Sequence, residues 1–154
     1  MNSLDDIDRR LLASLQEDGR MTNVDLAAKV GLTPPPCLRR VRGLEESGVI
    51  RGYHADLDGA KLGYTITVFA MVSLKSQAEE SLRQFEEHMR DLPEVRECHM
   101  LNGEIDFILK IVSHDLQSFQ EFLTSKLTPA PNVASVKTSL TIRTAKQMPG
   151  VPLE

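Results

Sequence analysis

The sequence predicts an α+β chain in two parts, a set of three short helices followed by a β-α-β-β-α-β unit. Three observations carry this expectation. Apolar residues recur at helical spacing in three stretches before residue 50, each closed by a glycine. After residue 65, stretches of period two alternate with helical stretches. Asn102-Gly103 lies between two strand-like runs, the strongest hairpin signal in the chain.

The elements follow in order. Leu4, Ile7, Leu11, Leu12 and Leu15 make the stripe of a first helix that Gly19 ends. Thr22 with Asp25 reads as a capping box opening a second helix, whose apolar face is Leu26, Ala27 and Val30. Gly31 supplies a tight turn, and Thr33 is the N-cap of a third helix. Pro34, Pro35 and Pro36 suit its first turn, where backbone N–H groups have no helical partner. Cys37, Leu38, Val41 and Leu44 are its expected buried stripe, and Gly48 closes it. Val49 to Leu57 reads as an extended connection, with Asp58-Gly59 a turn.

In the second part, Ile66, Val68, Ala70, Val72 and Leu74 predict a strand. Ala78, Leu82, Phe85 and Met89 predict a helix that ends before Pro93. Val95 to Leu101 and Glu104 to Val112 are the arms of the hairpin, with a type I′ turn at Asn102-Gly103. Ser113 is read as the cap of a helix carrying Leu116, Phe119, Leu123 and Leu127, broken by Pro129 and Pro131. Val136, Thr138, Leu140 and Ile142 predict a last strand. This order is the split βαβ, ferredoxin-like arrangement. The expected division is a helical domain over 1–60, including its linker, and an α+β domain over 61–154.

One sheet face carries Ile105, Phe107, Leu109 and Ile111, yet Phe69, Met71, Ile108 and Val112 make the other face apolar too. Both helices of such a unit pack on one side. The second side is expected to meet either another copy of the chain or the helical domain folded back over it.

Composition narrows the function. The chain is 41% hydrophobic and 26% charged, in the range of globular proteins. No window resembles a secretory leader and no apolar run approaches ~18 residues, so the expected place is cytoplasmic, with no membrane partner. Cys37 and Cys98 are then expected as free thiols. Net charge is −4, but residues 1–55 hold eight Lys/Arg and eight Asp/Glu, so the acidic excess lies entirely beyond them. Arg39, Arg40 and Arg42 cluster on the third helix. DNA binding needs a local basic patch, not a basic chain.

Three helices with a glycine turn between the second and third form the helix-turn-helix pattern, here read as a winged helix-turn-helix. The candidate DNA-binding residues are Thr33, Pro35 and Pro36 at the start of the third helix and Arg39, Arg40 and Arg42 along it. Arginine pairs bidentately with guanine and also contacts phosphate. Catalytic sets are missing from the pattern: the four histidines are scattered, Cys98 and His99 point to opposite faces of a strand, and no phosphate-binding glycine loop occurs. No enzyme activity, metal or cofactor is expected. Asp106 within an apolar strand needs a partner, which is either backbone donors or a ligand.

Taken together, Leu4-Asp5 and Asp8, Val30-Gly31-Leu32, Pro36-Cys37-Leu38, Arg40-Val41-Arg42, Gly48-Val49-Ile50 and Gly52-Tyr53, with Glu97-Cys98-His99, Gly103, Asp106 and Leu109-Lys110, resemble the leucine-responsive and asparagine-regulator (feast/famine) family of transcription regulators. The resemblance spans nearly the whole chain. It implies partners of three kinds: double-stranded DNA, an amino acid or related metabolite as effector, and further copies of the chain, as dimers that assemble to tetramers or an octamer. It implies an effector pocket at interfaces between dimers, formed by Leu101, Asn102, Gly103, Glu104 and Asp106, with Thr138, Ser139 and Leu140 as the facing wall. The alternative function is a nucleoid-organising protein that wraps DNA with little sequence preference.

Overall fold

The computed structural model describes residues 4–153. The chain divides into two compact units. One runs to Asp56 and also takes in the segment from Lys146 onward; the other is Leu57–Ala145. The expected division after residue 60 thus compares with one after Asp56 and a return of the last residues to the first unit.

The first unit holds helices α1 (Asp6–Glu17), α2 (Asn23–Val30) and α3 (Pro34–Glu46). Asp5 and Asp8 form a complete capping box at the start of α1. At α2 only half of the expected box exists: Thr22 accepts from the Asp25 amide, but the Asp25 carboxylate is taken by the Thr22 hydroxyl. Gly31 ends α2 with φ of 77°, a left-handed conformation that glycine adopts without steric cost. Pro34 and Pro35 occupy the first two positions of α3. Leu11, Leu26, Ala27, Val30, Cys37 and Leu44 form the core. Leu38 departs from the expected stripe and is 39% exposed. The reason is angular: it lies 100° around the helix from Cys37, and the core here is only wide enough for Cys37, Val41 and Leu44. After α3, the extended stretch expected from Val49 forms no strand.

The second unit carries β1 (Ile66–Leu74), α4 (Glu79–Arg90), β2 (Val95–Met100), β3 (Phe107–Ser113), α5 (Leu116–Phe122, continued by a π-helical turn over Leu123–Leu127) and β4 (Val133–Leu140). The strands form one antiparallel sheet in the order β2-β3-β1-β4. This is the expected α+β, ferredoxin-like topology. Val68, Val72, Phe107, Leu109 and Ile111 point to the helix side, where Phe85, Met89, Phe119, Phe122 and Leu127 complete the core.

Three local expectations fail. Neither Asn102 nor Gly103 has positive φ, which a type I′ turn requires of both central residues. The hairpin instead closes over a six-residue loop, Leu101–Asp106, and β3 starts only at Phe107. Ser113 is the buried last residue of β3, and α5 is capped by Asp115, whose carboxylate accepts from the Ser118 amide at 2.7 Å. Ile142 lies beyond β4 and is 96% exposed.

Candidate functional site

The first candidate surface is the side of α3 turned away from the core. Positions 35, 38, 39, 42 and 46 follow the i, i+3, i+4, i+7 rule and share one face of the helix. Pro35, Leu38, Arg39, Arg42, Gly43 and Glu46 line a shallow groove along it. The helix is held in place from several sides. Cys37 and Leu44 are buried beneath it, and the Asn23 side-chain amide donates to the Pro34 carbonyl at 2.8 Å, pinning its start to that of α2. The Thr33 hydroxyl makes no capping bond and is exposed.

The three arginines separate. Arg39 and Arg42 are exposed and form no ion pair among the described residues. Arg40 turns back to α1, where its Nη1 donates to Asp5 Oδ2 and Asp8 Oδ1, both at 2.8 Å. The Asp8 amide first, and then Arg40, hold the Asp5 carboxyl below its ordinary range, and the two carboxylates raise the Arg40 guanidinium further. Of the expected DNA-binding set, Thr33, Pro35, Arg39 and Arg42 are exposed. Pro36 and Arg40 lie on the flanks, and Arg40 is neutralised within the unit.

The second candidate surface is the loop between β2 and β3. Leu101, Asn102, Gly103 and Glu104 are exposed there. The loop is closed at its root by the Leu101 amide donating to the Asp106 carbonyl at 2.8 Å. The Asp106 carboxylate accepts from the Leu74 amide at 2.7 Å and from the Gln77 side chain at 2.9 Å. Its own amide donates to Val72. Of the two partners open to Asp106, backbone donors are thus present: the carboxylate ties the loop to the end of β1. Gln77 was not foreseen, because nothing in its spacing relates it to a residue 29 positions on.

Thr138, Ser139 and Leu140 pair with Ala70, Phe69 and Val68 on β1, at the sheet edge opposite β2. β4 is two strand spacings from β3, about 10 Å. One chain does not bring this wall against the loop.

The sheet face opposite the helices has its own pattern. Cross-strand rows run Ser139–Phe69–Lys110–Glu97 and Lys137–Met71–Ile108–His99. Phe69 is 38% exposed. Lys110 donates to Glu97 at 2.9 Å and holds its carboxyl below the ordinary range, with His99 adding to the effect. Cys98 faces the other way, toward α4, and burial pushes its thiol up to about 11, so it stays protonated. Both cysteines are free. Among the described residues no cluster of His, Cys, Asp and Glu is arranged to hold a metal, and no helix is long and apolar enough to cross a membrane.

The two surfaces coincide with two known domain families. Residues 4–51 match the winged helix-turn-helix DNA-binding model, and residues 67–151 match the Lrp/AsnC ligand binding domain. The chain belongs to the Lrp/AsnC family of transcription regulators. It is 52% identical over 143 residues to the leucine-responsive regulatory protein of Rhizobium meliloti, covering 93% of this chain and 92% of that one. The Bkd operon transcriptional regulator of Pseudomonas aeruginosa is 42% identical over 153 residues, covering 99% of this chain and all of its own. Among solved structures, a transcriptional regulator of Neisseria meningitidis in complex with L-Met aligns with a TM-score of 0.93 at 34% identity, over 98% of this chain and 97% of that one. This chain is therefore a DNA-binding transcription regulator with a ligand-binding domain, in a family of regulators and not of enzymes.

Proposed function

We propose that this regulator reads DNA with the outer face of α3 and changes its binding when an amino acid occupies the loop Leu101–Asp106 of one copy against Thr138–Leu140 of another. One observation carries the first half. Two arginines stand on the open face of α3 without a carboxylate partner, while the third is bound inward. Arg39 and Arg42 contact base edges or phosphate, and Thr33, Pro35 and Pro36 lie against the backbone near the helix start.

The second half is supported by the loop itself. Asp106 braces its root, which leaves Glu104 and the backbone of Asn102 and Gly103 exposed to a ligand. A carboxylate accepts charge-assisted bonds from an α-ammonium group. The Neisseria relative holds L-Met, and the Rhizobium relative is named for its response to leucine. An amino acid with an apolar side chain is the effector class these point to. A homodimer, with the open sheet faces packed together, covers Phe69, Met71, Ile108 and Val112, and higher assembly brings loop and wall together. The cytoplasm is where such a regulator meets its DNA.

The test is fluorescence anisotropy, at fixed salt, on a duplex selected by the protein from a random library, with and without each standard amino acid. Arg39→Ala and Arg42→Ala should each relax base preference or lower the salt slope by about one, and at least one apolar amino acid should shift the affinity. Equal binding to selected and random duplexes would show the nucleoid-wrapping alternative. No shift with any amino acid would remove the effector reading.

A further inference from the structure

The groove on α3 contains two residues that the packing of the chain does not explain. Leu38 is a large apolar side chain, 39% exposed, set between Pro35, Arg39 and Arg42. Gly43 sits in the interior of a helix, where glycine is a poor former beside alanine. Its φ is not positive, and a Cβ added there would meet nothing within 4 Å. Neither the backbone conformation nor a neighbour among the described residues asks for glycine at that point. Its missing side chain leaves open space on the side where Arg39 and Arg42 offer positive charge.

We infer that Leu38 and Gly43 are specificity-determining residues for DNA: Leu38 packs on the 5-methyl group of a thymine in the major groove, and Gly43 leaves room for the groove to come close. The chemistry follows from the groove. Thymine alone among the bases presents a methyl group there, and apolar side chains contact it. A leucine flanked by two cations is brought to that depth by the phosphates the cations attract. Glycine at 43 removes the side chain that would hold the helix off on the flank beyond Arg39. The inference rests on the reading that α3 enters the groove.

The experiment uses the full chain and the duplex it selects from a random library. Each thymine is replaced in turn by deoxyuridine, which keeps its pairing with adenine and lacks only the methyl. One thymine, or a symmetric pair, should lose affinity by about three- to tenfold, the scale of one buried methyl contact. Leu38→Ala should weaken binding to the thymine duplex by a similar factor and abolish the difference between thymine and deoxyuridine. Leu38→Met, still apolar, should restore part of that difference. Gly43→Ala should raise the melting temperature, because alanine suits a helix better, while weakening DNA binding severalfold.

Two results would overturn the inference. One is an unchanged thymine-to-deoxyuridine ratio in Leu38→Ala. The other is a Leu38→Ala chain that melts lower and loses affinity equally for all sequences, which would make Leu38 a packing residue. Failure of the underlying reading looks different: Arg39→Ala and Arg42→Ala would then leave both affinity and salt slope unchanged.

Discussion

The two faces of the sheet are made from the same strands, residue by alternate residue, and end in different states. On one, Phe107, Leu109 and Ile111 are fully buried beneath α4 and α5. On the other, Phe69, Met71, Ile108 and Val112 alternate with Lys110, Glu97 and His99, and none of them is sealed. The first face is an interior, apolar apart from Ser113 and Thr138, and needed for the unit to fold. The second mixes apolar and charged side chains, a pattern that gains from being covered and tolerates water while it is not. The same division recurs on α3, where Cys37 and Leu44 are buried and Arg39 and Arg42 stand exposed.

The contrast is sharpest at Phe107, where truncation to alanine should cost about 3–5 kcal/mol, read as a fall in urea midpoint, since a fully buried ring leaves a cavity. Phe69→Asp on the opposite face should leave the fold standing but place a charge with no partner in any covering interface. For the proposed homodimer, the dissociation constant should rise on the order of 100-fold by sedimentation velocity. A Phe69→Asp chain that unfolds, or that associates as before, would break the distinction between the faces.

Asp106 stands in the loop just before β3. Asp106→Ala leaves the Leu74 amide without its partner and should cost about 1–3 kcal/mol, seen as a lower melting temperature with no amino acid present. On α3, Arg39→Ala should cost roughly 1–3 kcal/mol of DNA binding if it meets a base, with melting unchanged. Its neighbour should do the reverse. Arg40→Ala breaks a partly exposed ion-pair triad, which should lower the melting temperature slightly and leave the salt slope as it was.

The smallest effect expected is that of Glu97. Lys110 holds its carboxyl below its ordinary value of 4.5 in the folded chain. Its contribution is therefore present above about pH 4.5 and is lost as pH falls through the lowered value. The pair is partly exposed, with the Lys110 side chain 26% and the Glu97 side chain 45% accessible, so the difference is about a few tenths of a kcal/mol. Lys110→Met should flatten that part of the stability profile between pH 7 and 3, measured by urea midpoints.

Most of the fold was legible because its signals are local. Period two and period 3.6 follow from backbone geometry within a few residues, and they located five helices, four strands and the helix side of the sheet. The α3 surface was legible in part. The arginine cluster marked the helix, but composition could not tell which arginine was free, because the partners of Arg40 lie 32 and 35 residues away. Leu38 was assigned to the core for a similar reason: helical spacing gives a direction around the axis, and only the neighbouring helices decide how much of that arc they cover.

The remaining errors share one cause. Asn-Gly is a good type I′ turn when nothing else acts on it. Here the bonds of Asp106 to Leu74, Gln77 and Val72 start β3 late and open the turn into a loop. The last residues carry no pattern, yet Gln16 bonds both backbone groups of Val151, 135 positions away. Local preference, a few kcal/mol spread over each segment, was enough to choose helix or strand and their order along the chain. Which polar groups bond across the fold, and which apolar ones stay open, was decided by where those elements packed, since a hydrogen bond or a buried contact depends on distance in space and not in sequence.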